Sequence, residues 1–306
     1  MIIKKRDPKE TDIKELTSLL SLPLPESKRF LVERELRFIK SGDKGEKDSA
    51  YFIDFDYGPS KRMAVIHDLR IEHRDRVAQI DHLLINRFLD VYILETKNFS
   101  YGVTITETGE FLASYKGQNL AIESPIEQNK RHRLVLEGVM DQYDILPKRL
   151  GLTIKPAFHN YILVSANSPV IRPPEKKFDT SMIIKADGLE TAILKRVEKM
   201  SAVSVLSTAS KIVSMESVVE IATRLAARHK PKKIDYRKRF GIEDVSTKQS
   251  RAPKSDQPEP MQRFYCFKCK KPITEKVAKF CRDNKKMFGG REYCFNCQKS
   301  FRGSET

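Results

Sequence analysis

The chain predicts an α/β protein: a mixed sheet flanked by helices, followed by a small C-terminal domain built on cysteines. Three observations carry that expectation. Short apolar runs rich in β-branched residues, such as Val77–Ile85 and Val91–Phe99, alternate with segments of helical period. A chain of 306 residues, 40% hydrophobic and 32% charged, has the composition of a globular protein with a sizeable core. All five cysteines lie beyond residue 265, in paired spacing that suits a metal better than disulfides.

The elements follow in order. Ile13, Leu16, Leu19 and Leu20 recur on one helical face before Pro23 and Pro25 interrupt. Phe30, Leu31, Leu36, Phe38 and Ile39 mark a second helix, expected to stop near Gly42. Gly42 and Gly45 are then expected to bracket a tight turn, with Glu46 opening a short helix where a carboxylate suits the helix dipole. "RMAVIHDLRIEH" (62–73) reads as a strand, followed by a hairpin of Val77–Ile85 and Val91–Phe99. "GVTITE" (102–107) and "EFLASYKG" (110–117) predict another strand pair around Thr108 and Gly109. Ser124 is a good N-cap and Pro125 a good first residue for the next helix, with Gln128, His132, Val135 and Val139 near one stripe. "HNYILVSAN" and "MIIKAD" predict strands, and "GLETAILKRVEKM" and "SMESVVEIATRLAARHK" predict amphipathic helices. The expected organisation is an N-terminal helical extension (1–34), an α/β core (35–230), a basic and polar linker (231–262) and a cysteine-bearing domain (263–306). The connector around Pro253, Pro258 and Pro260 is read as flexible.

The longest apolar stretches are strand-sized, short of the ~20 residues that span a bilayer. The first residues, "MIIKKRDPKETDIKEL", turn charged at once and lack the apolar core of a signal peptide, so a cytoplasmic protein is expected. The 57 basic against 41 acidic side chains leave +16, and residues 230–306 hold 21 basic and 9 acidic ones, three quarters of the excess. Such asymmetry favours a polyanionic partner, nucleic acid before membrane, because no amphipathic apolar face accompanies it. There is no G-x-S-x-G elbow, Walker A sequence or G-x-G-x-x-G.

The hairpin carries the chemistry. Placing Ile85 against Val91 sets Asp81 opposite Glu95 and Gln79 opposite Lys97, all projecting from one side of the sheet. Two carboxylates facing each other repel, and a divalent cation between them would resolve the conflict. Mg²⁺ or Mn²⁺ takes oxygen ligands and keeps several waters, so Asp81, Glu95 and the backbone carbonyl of Thr96 suffice to hold it. Lys97 would then stand beside the bound water and a phosphate. The bland alternative is an Asp81–Lys97 ion pair, with Glu95 paired to an arginine elsewhere. His82 falls on the opposite strand face and reads as structural. His67, His73 and His132 have no spacing that recommends them as ligands.

The blocks "GDKGE" (42–46), "QIDHLLI" (79–85), "ILETKNF" (93–99), "YGVTITETG" (101–109) and "SPIEQNKRH" (124–132) together resemble the nuclease-related domain, NERD, a branch of the PD-(D/E)XK nuclease-like superfamily. The resemblance covers about residues 35–145. It implies a restriction-endonuclease-like mixed central sheet flanked by helices and metal-dependent hydrolysis of phosphodiester bonds in DNA, possibly RNA. It matches Asp81, Glu95 and Lys97 to the core metal and catalytic positions, Glu46 to the acidic residue of the first core helix, and Gln128 to the glutamine of the following helix. Asp81 follows Ile80 where the superfamily name has proline, as is usual for this branch. The alternatives are a non-catalytic nucleic-acid-binding protein and a protein-interaction adaptor that keep the fold.

"YCFKC" (265–269) and "YCFNC" (293–297) are two C-x₂-C knuckles 24 residues apart, so Cys266, Cys269, Cys294 and Cys297 are expected to hold one Zn²⁺. Cys281, almost midway, is either a buried free thiol or an alternative ligand. The segment looks like a zinc ribbon of the topoisomerase C-terminal type, which implies DNA contact. Lys268, Lys270, Lys271, Lys285, Lys286 and Arg291 supply an electrostatic grip, and Phe264, Tyr265, Phe267, Tyr293 and Phe295 can pack around the metal or stack on bases.

Overall fold

The computed structural model of the chain describes residues 1–115, 117–199, 211–242 and 264–299. The chain divides into two compact units, Met1–Glu243 and Asp244–Thr306.

The first unit is built on a six-stranded mixed sheet. Its strands are β1 (Ile2–Lys4), β2 (Met63–His73), β3 (Arg76–Asn86), β4 (Asp90–Lys97), β10 (Ala157–Val164) and β12 (Ile183–Lys185), lying in that spatial order. β2, β3 and β4 pair antiparallel, whereas β1 on β2, β10 on β4 and β12 on β10 pair parallel. Alternate residues of the central strands feed two cores. Leu83, Ile85, Val91 and Ile93 pack with α3 (Pro125–Gln142) and α5 (Met215–Ala226). Leu84, Tyr92 and Leu94 pack with α2 (Glu26–Tyr57) and α4 (Leu189–Glu198). Helices therefore cover both faces, and strands wetted on neither face read as near-continuous apolar runs. The expected α/β class with a helix-flanked mixed sheet is what forms.

β5 (Val103–Ile105), β6 (Phe111–Tyr115), β7 (Gln118–Ile122) and β11 (Val170–Ile171) make a four-stranded satellite sheet, and β8 (Lys148–Arg149) and β9 (Leu152–Thr153) a short hairpin. The expected strand pair at 102–117 thus gains a third strand, whose exposed Gln118 and Asn119 and half-polar pattern gave no apolar alternation. Ser124 caps α3 by accepting from the Glu127 N–H, and Pro125 stands at its first turn, as expected. Inside the fold the Asn129 amide donates to the carbonyls of Ile93 (2.9 Å) and Tyr161 (3.3 Å), tying α3 to β4 and β10.

Two expectations fail, for packing reasons. The second helix does not stop near Gly42, and no tight turn separates it from Glu46; α2 runs 32 residues without interruption. Gly45 is helical because a neighbour demands a small residue: a Cβ built there would meet the Asn98 Cβ at 2.9 Å. The boundary expected at residue 34 accordingly falls inside α2. Residues 2–4 are an edge strand of the central sheet, too short to show any period. Part of the expected linker is also packed: α6 (Tyr236–Phe240) buries Tyr236 against Leu16, Leu19 and Val32 of α1 (Glu10–Leu20) and α2. The connector around Pro253, Pro258 and Pro260 lies outside the described residues.

In the second unit a short antiparallel pair, Phe264–Tyr265 with Pro272–Ile273, precedes helices Glu275–Asp283, Lys285–Phe288 and Phe295–Gln298. Its small core consists of Cys266, Cys281, Phe288 and Tyr293. Among the described residues no helix is long and apolar enough to cross a membrane.

Candidate active site and four-cysteine cluster

The β3–β4 hairpin has the expected register, from Ile85↔Val91 to His82↔Leu94. Its ladder ends one residue short of the Asp81–Glu95 position. There the Thr96 N–H turns to the Asp81 carboxylate, donating to Oδ2 at 2.8 Å. Lys97 Nζ lies 2.8 Å from Glu95 Oε1 and 2.9 Å from Gln128 Oε1 of α3. Asp81, Glu95, Lys97 and Gln128 are thus brought together, and the cation pairs with Glu95 rather than with Asp81. Gln79 does not join them: it donates to Asp68, whose positive φ of 53° interrupts the regular run of β2.

Burial governs the electrostatics. It pushes the Asp81 carboxyl well above the usual range, helped by the charges of Glu95 and Glu46 and opposed by the Thr96 N–H and Lys97. Burial also raises Glu95, against the pull of Lys97 and Gln128. The other Glu95 oxygen, Oε2, is buried without a hydrogen bond and faces His132 Nδ1 at 3.6 Å. Burial, with Lys97 and Arg131 nearby, pushes His132 down to about 4, so its ring is neutral at pH 7. Two carboxylates held under repulsion, one with an orphaned oxygen, form an oxygen-rich pair that fits a hard divalent cation.

Glu46 sits in the interior of α2, so its expected place in a first helical turn is corrected. Its carboxylate is close enough to raise Asp81 and Glu95 but is engaged by Arg6, 2.8 Å away. Arg6 also bonds Asp43 at 2.9 Å, and Asp43 meets Lys47 at 2.7 Å. Sequence reasoning missed Arg6 and Asp43 because "KKRD" reads as an exposed charge run forty residues before its partner. It passed over His132, although that residue's place in the Gln128 stripe was the available signal. His82 is structural as expected: fully buried, it meets His67 Nδ1 at 2.7 Å, and His67 Nε2 meets Asp54 at 2.9 Å.

The close approach of α2 brings the Glu46 charge within reach of Asp81 and Glu95. Gly45→Ala must push Asn98 or the helix aside, at about 1–3 kcal/mol. A thermal melt should fall by about 2–4 °C per kcal/mol. Gly42→Ala, with nothing within 4 Å of its added Cβ, should instead hold or raise the midpoint through helix propensity.

In the second unit the Sγ atoms of Cys266, Cys269, Cys294 and Cys297 all lie within 4.8 Å of one another. Cys269 and Cys294 are 3.6 Å apart. Sulfurs about 2.3 Å from a tetrahedral ion would be about 3.8 Å apart, so the cluster has the dimensions of a four-thiolate metal site. Against its burial, the backbone N–H groups of Cys269, Cys294 and Lys268 hold the Cys266 thiol down at about 6. Cys281 stands outside the cluster. Its buried sulfur accepts from the Tyr293 N–H (3.3 Å) and the Gln298 amide (3.2 Å), which makes it a core residue under the knuckles.

The helix-flanked mixed sheet thus brings half-buried Asp81 of β3 and buried Glu95 of β4 together with Lys97 of β4 and Gln128 of α3. Residues 41–164 match the family model of NERD, the nuclease-related domain, and this part of the chain is such a domain. No curated protein and no solved structure shows significant similarity to the chain. The matched segment begins within α2 and ends with β10. It holds Glu46, Asp81, Glu95, Lys97 and Gln128, whereas Arg6 and the cysteine cluster lie outside it.

Proposed function

We propose that the protein is a metal-dependent nuclease that hydrolyses phosphodiester bonds in DNA, with a C-terminal zinc ribbon that grips the nucleic acid. The observation that carries this reading is the pairing of half-buried Asp81 with buried Glu95, and Lys97 bonded between Glu95 and Gln128. Asp81, Glu95 and the Thr96 carbonyl would hold Mg²⁺ or Mn²⁺, which supplies Lewis-acid stabilisation of charge on the phosphate. Lys97 has three donors, and two are committed to Glu95 and Gln128. The third is available to orient the attacking water or offset charge on the phosphate oxygens. Gln128 fixes the direction of that ammonium, and Glu46 completes the acidic rim. Cys266, Cys269, Cys294 and Cys297 would hold Zn²⁺. The proposed arrangement is a NERD core within the first unit and a ribbon from residue 263 onward.

Asp81→Asn tests the site with two readouts. The amide keeps an acceptor for the Thr96 N–H but removes the charge a cation needs, so cleavage of DNA with Mg²⁺ or Mn²⁺ should be lost. A carboxyl whose pKa rises on folding destabilises the fold as pH climbs through and above its unfolded value of about 3.9. Below that value both states are protonated and nothing is lost. Metal-free Asp81→Asn should therefore melt higher than the wild type near pH 7, with the gain vanishing near pH 4. Added Mn²⁺ should raise the wild-type midpoint, by about 2.7 kcal/mol at one hundred times Kd, and leave the variant unmoved. Equal cleavage by the variant would overturn the reading.

A further inference from the structure

A large cavity of the first unit lies away from the carboxylates, between β10, β12 and α4. It holds about 1150 Å³ and is lined by Lys130, Arg172, Lys185, Lys195, Arg196 and Lys199, with no carboxylate among the described residues that line it. Lys130 is neutralised by Glu127 at 2.6 Å and belongs to the rim. The other five form no ion pair with a carboxylate among the described residues. Arg172, an exposed residue, is oriented by carbonyls alone, donating to those of Thr180 (3.1 Å) and Ile183 (2.6 Å). Lys185 donates to the carbonyls of Ser165 and Ser168. Arg196, which interacts with Tyr92, keeps a buried Nη1 without a hydrogen bond, and Asp90, an acid it influences, is taken by His159 at 2.8 Å.

Five like charges gathered around one concavity repel one another unless an anion enters. A single compact anion would not need cations spread along a strand edge, a loop and a turn of helix. The cavity also exceeds the ~300–1,000 Å³ of ordinary small-molecule sites. We infer that this cleft binds a stretch of nucleic-acid backbone, phosphate by phosphate, as a track separate from the proposed cutting site. α3 is the wall the two share. Gln128 turns to Lys97, while Ile126 and Lys130 line the cleft, each two residues and so about 3 Å along the helix axis from Gln128. The inference rests on the reading of the protein as one that acts on nucleic acid. It places part of the grip on the α/β unit itself, not on the cysteine unit alone.

The test is binding of full-length protein to labelled DNA, as a duplex of about 20 base pairs and as its single strand, without added divalent cation. Lys195→Glu with Lys199→Glu changes two exposed cleft residues. Lys14→Glu with Lys61→Glu makes the same net-charge change at exposed sites outside it. Each lost phosphate contact should lower the slope of log K against log salt by about 0.7–0.9. The cleft pair should therefore reduce the slope by about 1.5–2 and weaken binding at least about ten-fold near 0.1 M salt, while the control pair leaves the slope unchanged. Arg172→Gln, which removes a cation without reversal, should lower it by about one contact. Equal losses in the two double variants, unchanged binding in the cleft pair, or competition by polyglutamate as effective as unlabelled DNA would overturn the inference. A wild type that cuts DNA while the cleft pair binds it normally sinks the cleft alone. A wild type that never cuts, yet loses binding through the cleft pair, sinks only the nuclease reading.

Discussion

Lys97→Ala should lower Mg²⁺-dependent DNA cleavage by at least about 10²–10³-fold, the loss typical of removing one donor aimed at developing charge. The expectation comes from what the ammonium holds. It lies between Glu95 Oε1 and Gln128 Oε1 at hydrogen-bond distance, and it counters the burial that raises Glu95. Its removal takes from Glu95 Oε1 the ammonium that donates to it, while Oε2 already lacks a hydrogen bond, so the variant should bind Mn²⁺ at least as readily as the wild type. DNA affinity should be nearly unchanged, because one side chain contributes at most one phosphate contact. Lys97→Arg should rescue little. A planar guanidinium is too broad to sit between Glu95 and Gln128 as a compact ammonium does. Cleavage rates, Mn²⁺ titration and anisotropy on the same variants separate these effects. A Lys97→Ala protein that cuts at the wild-type rate would remove lysine from the chemistry.

What was legible in the sequence is what strand periodicity and hairpin symmetry control. Pairing Ile85 with Val91 is enough to predict that Asp81 and Glu95 approach each other, and the structure has that register. The four knuckle cysteines were equally legible, since their spacing implies convergence whatever the intervening chain does. What sequence could not give depends on contacts between distant segments. Gly45 looks like a turn residue, yet its smallness serves a helix passing close to Asn98. Arg6 looks like part of a solvated basic run, yet it pairs with Asp43 and Glu46 across the fold. The cationic cleft draws on residues from 130 to 199, and no local window contains enough of them to announce it.

Removing zinc should unfold the second unit while leaving the first intact. Among the described residues the core there amounts to Cys266, Cys281, Phe288 and Tyr293 with a few half-buried neighbours, less than a domain needs to fold unaided. Structural zinc in small domains contributes about 10–16 kcal/mol of apparent binding free energy, which in such a unit is folding free energy. Chelation of the full-length protein should therefore abolish hydrogen-exchange protection over residues 264–299. Amides of the central sheet, on strands β2, β3, β4 and β10, should keep theirs. Cys269→Ser should reproduce the effect and release the metal. Cys281→Ser should not: its sulfur accepts from Tyr293 and Gln298 but stands outside the cluster, so zinc should remain at one per chain while the unit loses some protection. Retention of zinc by Cys269→Ser together with its loss from Cys281→Ser would move the site onto the fifth cysteine. On the proposed zinc ribbon the basic surface of this unit goes with its metal, which sets the binding consequence. DNA affinity of the chelated protein should fall to what the first unit alone supplies, with a smaller salt slope.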